Sequence, residues 1–483
     1  MATISSPGLG SGLNVTSIVD QLVAVERRPI DLLTTQKTAL QSKLSAFGLL
    51  KSYTTNVEDA VARLADPTLW QKTSTGSTDP SSVTATSTAA AKDGSYSVQV
   101  GQLAQAQSLA SGAYASNSAA VGTGTLKIEL GTWGAGPAFA DKVPASSVDI
   151  VIGAGDNTLE GVRAKINAAN AGVSASIIKD GSGSRLVIRS LATGAENAMR
   201  ITATGAAALP VLPSDPPSLA SLVYNPAVPA SSKLTQAVEA KDAQATINGL
   251  AVTSKSNTFA DVLEGVTLTV SKVTSTAAQV SVGIDKDSMK KAVADFVKAY
   301  NDISKYLAQQ TKYDPDTKTA GDLQGDRATL SLQSQLRNGL MQSSGASTVF
   351  RSMSDMGIEL QRDGTLTVND SKLGTALSNP TEVSKAFTSA ATNGPGYTGL
   401  AVRLKSLTDS MTLTDGLVTT RSDGLRTSIK RVDDQVAKYE ERIAAKKESL
   451  LRQYSALDTK LSSLTSLNSY ISQQITNWNK STN

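Results

Sequence analysis

Neither cysteine nor histidine occurs anywhere in the chain. Their absence removes disulfide frameworks, thiolate nucleophiles and the imidazole used for metal binding and proton transfer. Ser-His-Asp and Cys-His catalysis is thereby excluded for the whole sequence. A cysteine-free chain is also indifferent to redox compartment, so it suits the outside of a cell as well as the inside. Aromatic residues are only 4%, a composition better matched to long helices and small β-domains than to a deep substrate cleft. No run of eighteen apolar residues appears, so no membrane insertion is expected. The first residues lack the basic-then-apolar order of a secretory signal. A large excess of either charge is missing too. The 46 Lys+Arg and 42 Asp+Glu are interspersed, without the basic clusters and stacking aromatics that a nucleic-acid partner requires.

What is present is mostly helix at the two ends. From Leu425 to Asn483 there is no glycine or proline, and apolar residues recur at steps of four and three. They are Leu425, Ile429, Val432, Val436, Tyr439 and Ile443. After Leu450 the pattern resumes as Tyr454, Leu457, Leu461 and Leu464, then Ile471, Ile475 and Trp478. The two phases are joined by an inserted step of four, a stutter that locally unwinds a coiled coil. Lys446 and Asn468 fall in the seam, where polar residues set register.

The other end offers a partner. Pro29 is well placed as a first helical residue, and Ile30, Leu33, Leu40, Leu44 and Phe47 keep the same spacing, interrupted by Lys37. A shorter stripe of Ile18, Leu22 and Val25 precedes it, capped by Asn14 or Thr16 after glycines 8, 10 and 12. The helical pattern runs on through Val57, Val61 and Leu64 to Asp66-Pro67. An antiparallel coiled coil between the two ends is predicted, and these seam positions are the candidate partner and oligomer contacts.

Between the ends the period changes. The runs "GSYSVQVGQLA", "GTLKIEL", "SVDIVI", "VSASIIKDGSGSRLVIRS", "NAMRITAT", "AQATINGLAVTSKSN" and "GVTLTVSKV" alternate as strands. Asp180-Gly181 marks a hairpin turn. Six of the fifteen prolines fall between 210 and 229, which predicts an irregular loop. Helical spacing returns at Asp287, again over 326–341, and continues to about 412 after a hairpin at Arg362-Asp363-Gly364. The predicted fold class is α+β multidomain: a terminal α-helical coiled coil and a helical stem with inserted antiparallel β-domains.

Three motifs invite a chemical reading. "VDIVIGAGDNTLEGVRAKINAANAGVSASIIKD" has the strand–glycine turn–helix–strand outline of a dinucleotide site. Thr158 stands where the third glycine belongs, and the second strand turns directly into an antiparallel hairpin, so Asn157 or Thr158 more simply caps a helix holding Ile166 and Asn167. "GLGSG" has no strand before it. "DPDTKTAGDLQGD" has calcium-like acidic spacing, but Thr319 stands where an EF-hand needs glycine. No catalytic residue, cofactor or metal ligand is expected.

Several segments together carry a resemblance. "GLGSGLNVTSIVDQLVAVERRPIDLL" resembles the N-terminal signature of the flagellar hook-associated protein 2 family, the filament cap proteins of bacteria. "NTLEGVRAKINAANAGVSASII" is similar to the IN-containing repeat of that family and of some flagellins. "AQATINGLAVTSKSNTFADVLEGVTLTV", "FVKAYNDISKYLAQQTKYDPDTKTAGDLQGD" and "MGIELQRDGTLTVNDSKL" are similar to its C-terminal region, in the family's order. Segment 111–150 and the proline loop match nothing in it.

The resemblance implies a secreted, non-enzymatic axial protein that leaves through the flagellar type III export channel. It implies a homo-oligomeric ring at the distal tip of the filament that promotes folding and insertion of flagellin and is active in motility. Its further partners would be hook–filament junction proteins and an export chaperone in the cytoplasm. A secreted adhesin or another axial (junction) protein is the alternative. The domains expected are 1–45 as a coiled-coil leg paired with 430–483, 46–75 and 286–429 as two halves of a helical stem, 76–110 and 236–285 as two parts of a β-domain, and 111–235 as an inserted β-domain with the IN-type repeat. A narrow seam without a partner repays little ordering entropy, so fraying is expected beyond about Leu457.

Overall fold

The computed structural model describes residues 14–134, 136, 138–206, 217–390 and 394–481. The glycines at 8, 10 and 12 and residues 207–216 of the proline loop lie outside the described residues. In chain order, α1 (Val15–Glu26) and α2 (Arg28–Leu64) precede β1 (Thr73–Ser77), β2 (Val83–Ser87), β3 (Gly94–Gln102), β4 (Ser108–Ala110), β5 (Gly124–Trp133) and β6 (Phe139–Ile152). Then come α3 (Leu159–Ala168), β7 (Val173–Asp180), β8 (Gly183–Ser190), β9 (Ala198–Thr204), β10 (Thr235–Val238), β11 (Ala243–Ile247), β12 (Leu250–Ser254), β13 (Thr258–Leu263), β14 (Val266–Val270) and β15 (Ala278–Ile284). The remainder is helical apart from two small hairpins: α4 (Lys286–Thr311), β16 (Tyr313–Asp314), β17 (Thr319–Ala320), α5 (Arg327–Met341), β18 (Ile358–Leu360), β19 (Leu366–Val368), α6 (Asp370–Ala376), α7 (Pro380–Thr388), α8 (Leu400–Thr412) and α9 (Leu417–Ser481). The chain divides into a helical unit, 1–70 with 286–483, and a β unit, 71–285.

The β unit holds two cores. In the first, a five-stranded sheet β1-β15-β3-β11-β12 and a three-stranded sheet β13-β14-β2 share Val98, Val100, Phe259, Leu268 and Val280. The period-two alternation that marks a half-buried strand is visible along β15, where Val280 and Val282 point inward and Gln279 and Ser281 outward. In the second, sheets β10-β4-β8-β7 and β6-β5-β9 close with α3 around Leu126, Ile128, Leu159, Ile166, Leu186 and Ile188. All strand pairs here are antiparallel, including β7 and β8 with Asp180 opposite Gly183.

Thr158 is the cap of α3, its hydroxyl accepting the Gly161 N–H at 3.1 Å. Ile166 drives into the core, and the next residue works differently. Asn167 donates from Nδ2 to the Ala175 carbonyl at 2.9 Å and accepts the Ala175 N–H on Oδ1 at 2.7 Å. One amide thus mimics a strand partner and clips α3 to β7. The proline loop corrects the expectation of irregular chain throughout. Leu219 to Leu222 form a 3-10 turn with Leu219 and Leu222 fully buried, and Tyr224 pairs with Ile201. Apolar residues at 219, 222 and 223 satisfy the core between the prolines.

Glu129 of β5 is buried and would be costly there alone. Arg200 on the neighbouring β9 donates to it at 2.6 Å and Lys127 reaches it at 2.8 Å. The guanidinium also lies over the Phe139 ring, 4.4 Å from its centroid. The Arg200 hydrogen bond holds the Glu129 carboxyl below the ordinary glutamate range although burial pushes it up. A carboxyl depressed in the folded state adds stability above its unfolded value of about 4.3 and loses it as pH falls further. The β unit should therefore lose stability on acidification below about pH 4 more steeply in wild type than in Glu129→Gln, which pH-dependent urea melts would measure.

In the helical unit, α4 places Met289, Val293, Phe296, Tyr300, Ile303 and Leu307 on one face at steps of four and three. Helix α4 packs against α2, and the Tyr306 hydroxyl donates to the Ala46 carbonyl at 2.9 Å. Asp326 caps α5 through the N–H groups of Ala328 and Thr329, and takes Arg421 of α9 on its other oxygen at 2.7 Å. Helix α9 begins at Leu417, earlier than the glycine-free run suggested, because Gly424 is accommodated within it. It continues to Ser481. Its hydroxyl side chains fold back onto the helix backbone, Thr465 donating to the Leu461 carbonyl at 2.9 Å.

Candidate functional site

The two chain ends meet as an antiparallel leg. Lys37 of α2 pairs with Asp433 of α9 at 2.6 Å, and Asp20 of α1 with Lys447 at 2.9 Å, so α9 runs back along both helices. Lys37, which breaks the apolar row in sequence, is thus used as a charged register mark. Exposed pairs of this kind contribute at most about 1 kcal/mol, so the seam rests on its apolar contacts. Ile30 and Ile443 are buried in it, with Val436, Tyr439, Leu450 and Tyr454 half-buried around them. Leu33, Leu40 and Leu44 are half-buried and Phe47 is fully buried.

Helix α1 enters the seam with a different face from the one expected. Val15, Val19 and Val23 are buried against α9, whereas Ile18 is half-buried and Leu22 and Val25 are 40% and 57% exposed. Both rows are apolar in sequence. Asn14, accepting the Ser17 N–H at 3.0 Å, starts the helix, and Arg27 interrupts it before α2, so its phase is independent of the Ile30 row. The valines at i, i+4 and i+8 were the missed signal.

The intramolecular seam ends near Tyr454. Beyond it Leu461 is half-buried, while Leu457, Leu464, Ile471, Ile475 and Trp478 are 45%, 60%, 46%, 55% and 73% exposed. These residues keep the four-three spacing of a seam over about 30 Å of helix. Lys446 and Asn468 are exposed as well. A row of large apolar residues facing solvent is the signature of an interaction surface. Nearer the chain's own seam, Pro29, Leu32, Leu33 and Tyr439 line a shallow groove of about 400 Å³ together with Lys438 and Arg442.

The chemical motifs resolve into structure. The turn at Gly153 and Gly155 leads into the capped start of α3, with Asp156 paired to Lys165 at 3.0 Å. Asp314 accepts the N–H of Asp316 at 2.9 Å and of Thr317 at 3.3 Å, closing the turn between β16 and β17. Among the described residues no three acidic side chains converge as a metal site, and no helix is long and apolar enough to cross a membrane.

The terminal leg, the helical unit split by an inserted β unit, and the α3–β7 clip bring the chain to comparison with known proteins. Family models for the flagellar hook-associated protein 2 N-terminus and C-terminus match residues 11–107 and 240–466, and one for the flagellin hook IN motif matches 139–192. Flagellar hook-associated protein 2 of Escherichia coli (strain K12) is 32% identical over 99% of this chain and 99% of its own. This chain belongs to the flagellar hook-associated protein 2 family. The A-type flagellar hook-associated protein 2 of Pseudomonas aeruginosa is 31% identical over 97% of this chain and 96% of its own. Among solved structures, the D1-D2-D3 domains of the flagellar cap protein FliD from Escherichia coli superpose with a TM-score of 0.60 at 30% identity, covering 79% of this chain and 99% of that one. The IN motif match includes Ile166 and Asn167, the pair that joins α3 to its core and to β7.

Proposed function

We propose that this protein caps the flagellar filament: several copies form a ring at the distal tip and help exported flagellin fold and insert. The observation that carries the reading is the row Leu457, Leu464, Ile471 and Ile475, which continues the leg's spacing past the point where the chain's own helices cover it. Such a row gains burial only from another subunit. Flagellin and the hook–filament junction proteins are the partners we propose for it, and a cytoplasmic chaperone would shield it before export. On this account the protein acts outside the cell, without chemistry of its own, and the seam residues of α1, α2 and α9 are its assembly contacts. Similarity to flagellar hook-associated protein 2 over 99% of the chain, and to the structure of a flagellar cap protein over 79% of it, supports the reading. Electron microscopy of purified protein should show closed rings of several subunits. Particles that stay monomeric at every concentration and ionic strength would contradict the ring.

A further inference from the structure

The hairpin β18–β19 is held on one side and open on the other. Asn301 of α4 clasps β19, donating from Nδ2 to the Leu366 carbonyl at 2.8 Å and accepting the Leu366 N–H on Oδ1 at 2.6 Å. Leu366 stands opposite Leu360. Because both main-chain groups of Leu366 go to Asn301, the Leu360–Leu366 pair is a non-hydrogen-bonded one. The N–H and C=O of Leu360 therefore point away from β19. Ile358, two residues earlier on the same edge, sends its N–H outward to the Met353 carbonyl at 2.9 Å. No hydrogen bond among the described residues takes up either group of Leu360.

This open edge borders a cavity of about 630 Å³, lined also by Arg337, Leu340 and Met341 of α5 and by Met353. Met341 is 67% exposed there. Two cations, Arg337 and Arg362, are exposed at the same cavity and make no ion pair among the described residues. The one carboxylate lining it, Glu359, is engaged by Lys372 at 2.8 Å. An open strand edge, an apolar lining and two uncommitted guanidinium groups occur together.

We propose that this groove binds a short extended segment of a partner polypeptide by strand addition along β18, apolar side chains entering the cavity and acidic ones meeting Arg337 and Arg362. Strand addition takes its affinity from main-chain hydrogen bonds and its specificity from side-chain pockets. Arginine favours carboxylates through paired N–H donors. The cavity has the size of a small-ligand or peptide site, and β18 offers an edge of only 3 residues, Ile358–Leu360. The occupant is therefore a peptide segment in transient contact, not a second folded copy. The site lies on the helical unit away from the leg seam and stands independently of the capping mechanism.

The test uses the full-length protein and a fluorescent ten-residue peptide in which Val and Thr alternate with two Glu, beside versions with two Lys and with N-methylated main-chain amides. The Glu peptide should bind at least tenfold tighter than the Lys peptide and slow exchange of the Leu360 amide. The double variant Arg337→Glu/Arg362→Glu, altered only at exposed positions, should reverse the preference. Equal affinity for Glu and Lys peptides would overturn the proposal, as would undiminished binding of the N-methylated peptide. Self-association of the free protein that is lost in the double variant would also overturn it, in favour of a second copy.

Discussion

Replacing Leu464, Ile471 and Ile475 together by glutamate should abolish filament elongation in cells that carry this protein as their sole cap, while both folded units melt as in wild type. The three side chains are 60%, 46% and 55% exposed, so the free protein has little packing to lose there. Surface changes of this kind usually shift stability by about 0.5 kcal/mol or less. Burying a Leu or Ile against a partner contributes about 1.5–3 kcal/mol each. Losing three such contacts, before counting the burial of new charge, weakens the docked state roughly 1,000-fold or more. Swimming halos and filament length measure the effect, and calorimetry confirms the unchanged fold. Normal filaments from this variant would remove α9 beyond Tyr454 from the assembly surface.

Trp70→Ala should unfold the helical unit at a much lower temperature and leave the β unit's own transition in place. Trp70 is 2% exposed, lies parallel to Phe387 with ring centroids 5.1 Å apart, and donates its indole N–H to the Leu64 carbonyl at 3.0 Å. It ties the end of α2 to α7, two parts of one unit separated by the whole inserted β unit. Truncating a buried aromatic of this size costs about 3–5 kcal/mol through lost transfer energy and the cavity left behind. Trp70→Phe keeps most of the stacked surface and loses the indole donor, so it should cost about 1–2 kcal/mol. Two-transition scanning calorimetry separates the units. A single transition that moves as a whole would show that they do not melt independently.

The helices are legible in the sequence because their apolar spacing is long and unbroken: Ile30 to Phe47 and Leu425 to Ile443 read as one seam from spacing alone. The β7–β8 hairpin is legible from Asp180-Gly181 between alternating runs, and the cap of α3 is narrowed to Asn157 or Thr158, of which the structure uses Thr158. What escapes depends on contacts distant in sequence. The choice between the Val15-Val19-Val23 and Ile18-Leu22-Val25 faces of α1 is made by α9, more than four hundred residues away. Glu129 and Arg200 look like ordinary surface charges until the β5–β9 register sets them opposite one another. Asn167 reads as a helix-end polar residue, and its double hydrogen bond to Ala175 needs α3 folded back onto β7. The open edge at Leu360 emerges only because Asn301 occupies the other side of the hairpin. Single helices and turns are written locally, while phase, pairing and edges are settled by tertiary packing.

The measurement that bears most directly on the leg is amide hydrogen exchange across α9, in free protein and in protein seated on filament ends. Residues 432–450, covered by α1 and α2, should be protected in both states. Residues 457–475, which extend past the intramolecular seam, should exchange rapidly when free and at least tenfold more slowly at the filament tip. Protection of 457–475 that is already equal to that of 432–450 in free protein, or that does not change on the filament, would contradict a partner-dependent leg.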